Sequence, residues 1–206
     1  MQLDSLNWHG MGRRHFMRRL AALGSTVLVG GAAVPLVGCG KENGTGARLL
    51  VLSAAQAVTL AACADAIVPH QAGFPSVAEA QIVTRLDEEL WFSDSSIQDD
   101  LCTALALFEW LPLGYGYFGR FSTLSMDARQ RLLQQMMGSG IETVRAIAGN
   151  FRLLIMLFYF GHRSSWAAIG YDGTFQKLPP RLSEQRQRYA AAVAASKAAD
   201  LTGVKQ

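Results

Sequence analysis

The stretch "IETVRAIAGNFRLLIMLFYF" runs from Ile141 to Phe160. Val144, Ile147, Phe151, Leu154 and Phe158 recur in it at helical spacing, which marks one face of an α-helix. From Leu153 to Phe160 the run "LLIMLFYF" is apolar on every side, and such a helix belongs in a core or an interface. Arg145 and Arg152 interrupt the stretch. The uncharged part is therefore short of the ~20 residues that span a bilayer. The stretch is the strongest helix signal in the chain.

The flanks extend the pattern in both directions. Gly138 and Gly140 end a preceding helix that starts after Ser125, carries Asp127 in its first turn and turns Leu132, Leu133 and Met136 inward. Serine caps well because its hydroxyl accepts a free amide, and an early acid suits the helix dipole. Before it, a helix from near Ser96 to about Pro112 puts Leu101, Leu105 and Phe108 on one face. Ser76 is a cap for a helix facing inward through Ile82, Leu86 and Leu90, with Asp87, Glu88 and Glu89 as its solvated side. Ser53 and Gln56 have capping-box spacing, and Leu60, Cys63, Ala64 and Ile67 follow on one face until Pro69. After Gly161 the chain reads as loop through Gly170–Gly173. Leu178-Pro-Pro-Arg181 then breaks off an alanine-rich tail with little apolar face, either exposed or docked on a partner. No β-alternation stands out. The expected fold class is all-α: about five main helices over 53–178, followed by a tail over 179–206.

The 206 residues suffice for one domain with its own core. Half are apolar and 17% are charged, which excludes a disordered chain. The net charge of +3 belongs to the first 38 residues. Arg13, Arg14, Arg18, Arg19 and Asp4 lie there, leaving 15 basic and 15 acidic residues beyond them. A neutral domain has no whole-molecule attraction to nucleic acid. The first 38 residues read as an export leader: a basic start, then 21 uncharged residues from Leu20 to Gly40. Gly12-Arg13-Arg14-His15-Phe16-Met17-Arg18 matches the twin-arginine pattern at Arg13, Arg14 and Phe16, with glycine where serine or threonine is usual. Leu36-Val37-Gly38-Cys39 resembles a lipobox, with Cys39 as the residue lipidated and 39–52 as a flexible tether. An uncleaved anchor or a different cleavage site are the alternatives. Each reading places the domain outside the cytoplasm, periplasmic and membrane-associated.

The chemistry-bearing residues are sparse. Gly114-Tyr-Gly-Tyr-Phe-Gly119 is a formal GxGxxG, but a dinucleotide site needs it between a strand and a helix. Here it follows a helix-like run and Pro112, so a tight aromatic turn is expected. His70 and His162 lie at helix ends, away from any Ser or Cys in triad-like spacing, and suit capping. Adjacent Glu88 and Glu89 diverge on a helix and do not make a paired-carboxylate site. Met136, Met137 and Met156 are core filling. No CxxC or Cys/His zinc spacing occurs. In an oxidising compartment Cys63 and Cys102 can pair, remain two buried free thiols, or bridge to another subunit. No catalytic, cofactor-binding or metal-binding residue is expected.

Four pieces in order carry a resemblance: the twin-arginine leader, "LAACADAIVPHQAGFPSVAEAQIV", "FSTLSMDARQRLL" and "FRLLIMLFYFGHRSSWAAIGYDGTF". Over about Ser53–Phe175 the chain resembles the gluconate 2-dehydrogenase subunit 3 family, the small gamma-type subunits of bacterial membrane-associated sugar and alcohol dehydrogenases. Ala64–Pro69 and Ile169–Tyr171 are the most telling pieces. The resemblance implies a helical, non-catalytic subunit. Its partner would be a large FAD-dependent dehydrogenase of the glucose–methanol–choline (GMC) type, with a cytochrome c subunit carrying haem c in some complexes. The small subunit would escort the folded partner through the twin-arginine (Tat) translocase and anchor or stabilise it. Tyr115, Tyr117, Phe118, Phe158, Tyr159, Trp166 and Tyr171 are the candidate partner interface, since aromatic residues concentrate at binding hot spots. A lipoprotein scaffold without a redox partner and an enzyme with an unrecognised site are the competing readings.

Overall fold

Ser53 begins the first helix as its spacing predicts. Its hydroxyl accepts from the Gln56 amide while the Gln56 side chain accepts from the Ser53 amide. Helix α1, Ala54–Ile67, buries Leu60, Cys63 and Ala64 completely, and stops where Pro69 withdraws a donor. The structure, a computed structural model, describes residues 48–173 and 183–203, all within the compact unit Gly38–Gln206. Arg13, Arg14, Phe16, Cys39 and most of the tether lie outside the described residues.

Among those residues all regular structure is helical. Helix α2 spans Ile82–Trp91, α3 Ser95–Trp110, α4 Met126–Met137 and α5 Glu142–Phe160. A short helix α6, Arg163–Trp166, and a 3-10 turn at Ala167–Ile169 replace the loop expected after Gly161. The His162 ring accepts from the Ser164 amide and so starts α6. His70 donates from Nε2 to the Asp65 carbonyl near the end of α1, at 2.6 Å.

Helix α5 is the hub, packing against α1, α2, α4 and α6. Val144, Ala148, Phe151, Ile155 and Tyr159 form its buried stripe. Phe151 meets Phe108 of α3 edge-on at 5.2 Å, and Phe108 meets Phe121 at 4.6 Å. Each such pair adds about 0.5–1.5 kcal/mol beyond its area. Among the described residues α5 is the one helix long and apolar enough to cross a membrane, yet its neighbours make it a core helix. It is not buried all round: Leu153 and Leu157 are about two-thirds exposed, because no element among the described residues covers that side of the helix.

Several other expectations need correction. Ser76 and Glu79 do bond reciprocally, but they cap a single turn. Gln81 then takes a left-handed conformation (φ 52°), and α2 starts only at Ile82. Of the acidic side of α2 only Glu89 is solvated: Asp87 is fully buried and Glu88 nearly so. The tether does not reach residue 52, because Leu49 and Leu52 are core residues. The alanine-rich tail forms helix α7, Glu184–Gly203, and docks on α2 of its own chain.

Candidate functional site

Two constructions stand out in the fold, a braced aromatic loop and a buried carboxylate. The loop follows α3. Pro112 starts a 3-10 turn over Leu111–Tyr115, and Gly116 reverses the chain at φ 79°, a conformation that glycine adopts freely. The glycines of the formal GxGxxG therefore serve a turn between helical elements, with no strand before it. Phe121 closes the loop as a plug, wholly buried against Phe108.

Polar groups hold the loop from both sides. Glu109 accepts from the Ser122 amide (3.0 Å), the Ser122 hydroxyl and the Thr59 hydroxyl of α1 (3.0 Å). Arg120 lies 3.8 Å from the same carboxylate. From the other side, Arg129 of α4 donates to the carbonyls of Phe121 and Ser122. Such multiple anchoring fixes a loop before any ligand arrives, which lowers the entropy lost on binding.

Apolar side chains project outward from this braced frame. Leu107, Trp110 and Leu113 stand three residues apart and are 37%, 49% and 52% exposed. Three-residue spacing keeps them on one side as α3 tightens into the 3-10 turn. Phe118, at the loop tip, is fully exposed. Isolated exposed apolar residues are ordinary, whereas a cluster marks a contact surface.

The seven aromatic residues expected at an interface separate into different roles. Phe118 and Tyr171 are exposed. Tyr115, Tyr117 and Phe158 are half-buried against the core, and the Arg85 guanidinium lies 5.3 Å over the Phe158 ring. Trp166 donates to the Phe160 carbonyl and meets Tyr171 edge-on at 5.0 Å. Tyr159 is no surface residue: it is completely buried and donates to the Pro75 carbonyl at 2.8 Å. Sequence reasoning missed Leu107, Trp110 and Leu113. Their spacing opposite the inward Leu101, Leu105 and Phe108 was the available signal.

The second construction centres on Asp87. One oxygen accepts from the amides of Val51 (3.0 Å) and Leu52 (2.7 Å), the other from the Leu50 amide (2.7 Å) and the Tyr189 hydroxyl (2.6 Å). Four donors fill the acceptor capacity of a carboxylate. Burial, then the bond to Asp87, pushes the Tyr189 phenol far above its ordinary range. Arg186 lies 3.5 Å from Glu88, whose carboxyl is nevertheless pushed up by burial.

Among the described residues Cys63 and Cys102 are both free thiols, so of the readings left open the pairing of one with the other is not made. Helices α1 and α3 run side by side in the same sense. Gln56 donates to the Cys102 carbonyl and Thr59 to the Glu109 carboxylate. Cys63 stands seven residues beyond Gln56, about 10 Å of helix rise, whereas a disulfide needs Cα atoms within about 7 Å. Burial pushes both thiols up, Cys63 the further, so neither is a reactive thiolate at neutral pH.

A cavity of about 340 Å³ lies among Ala66, Leu133, Met137, Ala148 and Arg152. Among the described residues no three His, Cys, Asp or Glu side chains converge as metal ligands would. No family model, no curated protein and no solved structure matches this chain.

Proposed function

We propose that the chain is a non-catalytic accessory subunit of a periplasmic FAD-dependent GMC-type sugar, sugar-acid or alcohol dehydrogenase. It grips the folded flavoprotein, escorts it through the twin-arginine translocase by Arg13 and Arg14, and then stabilises or anchors it, with Cys39 as the lipidated residue. FAD belongs to the partner, and haem c to a further cytochrome subunit where one is present. The observation that carries this reading is the outward row Leu107, Trp110 and Leu113, with the exposed Phe118 at the loop tip, on a frame braced by Glu109 and Arg129. Pre-ordered apolar and aromatic groups at the centre of a surface are what binding hot spots are made of. The leader and the family resemblance supply the identity of the partner.

The test is co-expression with a neighbouring reading frame that encodes a large flavin-binding protein without its own signal. Wild type should carry the flavoprotein to the periplasm. Arg13→Lys/Arg14→Lys should leave it in the cytoplasm, and Phe118→Asp should abolish co-purification while the small subunit stays folded. Periplasmic flavoprotein in the double arginine variant would sink the escort role. A purified small subunit that oxidised a sugar without any flavoprotein would sink the non-catalytic role.

A further inference from the structure

Asp87 joins three parts of the chain that are far apart in sequence. Its carboxylate belongs to α2, the amides it accepts from belong to residues 50–52, and the hydroxyl belongs to Tyr189 of α7. Further ties hold α7 in place: Arg48 bonds Asp200, Arg186 pairs with Glu88, and the Tyr189 ring meets Trp91 edge-on at 6.0 Å. Arg186, Tyr189, Val193, Ser196 and Asp200 fall on one side of α7 by their three- and four-residue spacing. That side faces both α2 and the segment leading into α1.

The hold is narrow. Among the described side chains of α7, Tyr189 alone is buried, and most of the rest face solvent. An element with one buried side chain and a few ion pairs opens far more readily than the core. When α7 departs, the carboxylate loses a buried donor and water reaches it. Water then competes for the three amides of residues 50–52, which lack helical or strand partners of their own.

We infer that α7 is a latch on residues 48–52: this segment is locked into the fold only while Tyr189 is seated on Asp87. The segment joins the leader region to α1, so the latch makes order at that junction conditional on a helix more than 130 residues further along the chain. During synthesis residues 48–52 emerge long before Tyr189, and they stay unlocked until α7 has folded onto α2. Anything that needs the segment extended, such as a processing enzyme acting at the junction, competes with α7. The connection to export rests on the leader proposed above, whereas the latch itself does not.

Hydrogen exchange read by mass spectrometry on the full chain tests this. Tyr189→Phe removes one hydroxyl and keeps the ring against Trp91. It should raise exchange at residues 50–52 by about tenfold or more, with residues 144–159 of α5 unchanged. Tyr189→Phe/Arg186→Ala should raise it further. Unchanged exchange at 50–52 in both variants would overturn the latch. So would an equal rise in every helix, since that reports general loss of stability. A failed escort assay alongside the expected exchange result would overturn the proposed function and leave the latch standing.

Discussion

Replacing Asp87 by alanine removes the acceptor for four donors at once. Two of them, the Leu52 amide and the Tyr189 hydroxyl, are buried, while the Leu50 and Val51 amides are half-buried and within reach of water. A buried donor left without a partner costs about 1–3 kcal/mol. Two such groups give a loss of about 2–6 kcal/mol, against a total stability of about 5–15 kcal/mol for an ordinary domain. Urea titration reads it directly. With a slope of about 2 kcal/mol/M, the middle of the usual range, the midpoint should fall by about 1–3 M with little change of slope. Asp87→Asn keeps one carbonyl oxygen with two lone pairs and should fall between the wild type and Asp87→Ala. A loss under about 1 kcal/mol for Asp87→Ala would refute the view that the carboxylate, rather than apolar packing of Leu49 and Leu52, fixes the segment.

Other perturbations probe separate parts of the structure. Phe121→Ala removes the plug beneath the aromatic loop and should cost about 3–5 kcal/mol in a denaturant titration. Phe118→Asp, at a fully exposed position, should leave stability within about 0.5 kcal/mol, so that any loss of partner binding is a surface effect. Burial raises the Glu88 carboxyl above its ordinary 4.5 despite Arg186. Its stability share is then full below pH 4.5 and lost as pH rises through the folded value. Glu88→Gln should therefore melt no lower than wild type at pH 7, and should melt with a flatter dependence between pH 4.5 and 7. Gln81→Gly relieves a left-handed residue (φ 52°) and should change stability by no more than about 1 kcal/mol, upward in a thermal melt.

Helices α1, α3, α4 and α5 were legible in the sequence because their signals are local. Ser53 with Gln56, Ser125, Gly138 and the 3.6-residue apolar period each act within a few residues. Ser76 shows the limit of a local signal. Its box with Glu79 forms, but nothing nearby announces that Gln81 will turn left-handed and restart the helix. The acidic run Asp87-Glu88-Glu89 reads as a solvated face because charge favours water. The burial of Asp87 depends on donors 35 to 37 residues before it and 102 after it, and no window along the chain contains them together. Tyr189 was the available clue, a lone aromatic on a polar, alanine-rich helix. The aromatic loop was legible as a turn from its glycines. Which aromatics it exposes was not, since Phe118 and Phe121 differ only in which side of the turn they leave.

The Asp87 carboxylate is held by three backbone amides and a phenol. Dissolved ions reach the exposed partner of each outer pair, Asp200 of Arg48–Asp200 and Arg186 of Arg186–Glu88, and screen it within a Debye length of about 8 Å at physiological ionic strength. They have little access to a buried carboxyl group held by short hydrogen bonds. Raising the ionic strength therefore weakens the outer ties of α7 while its central tie keeps its strength.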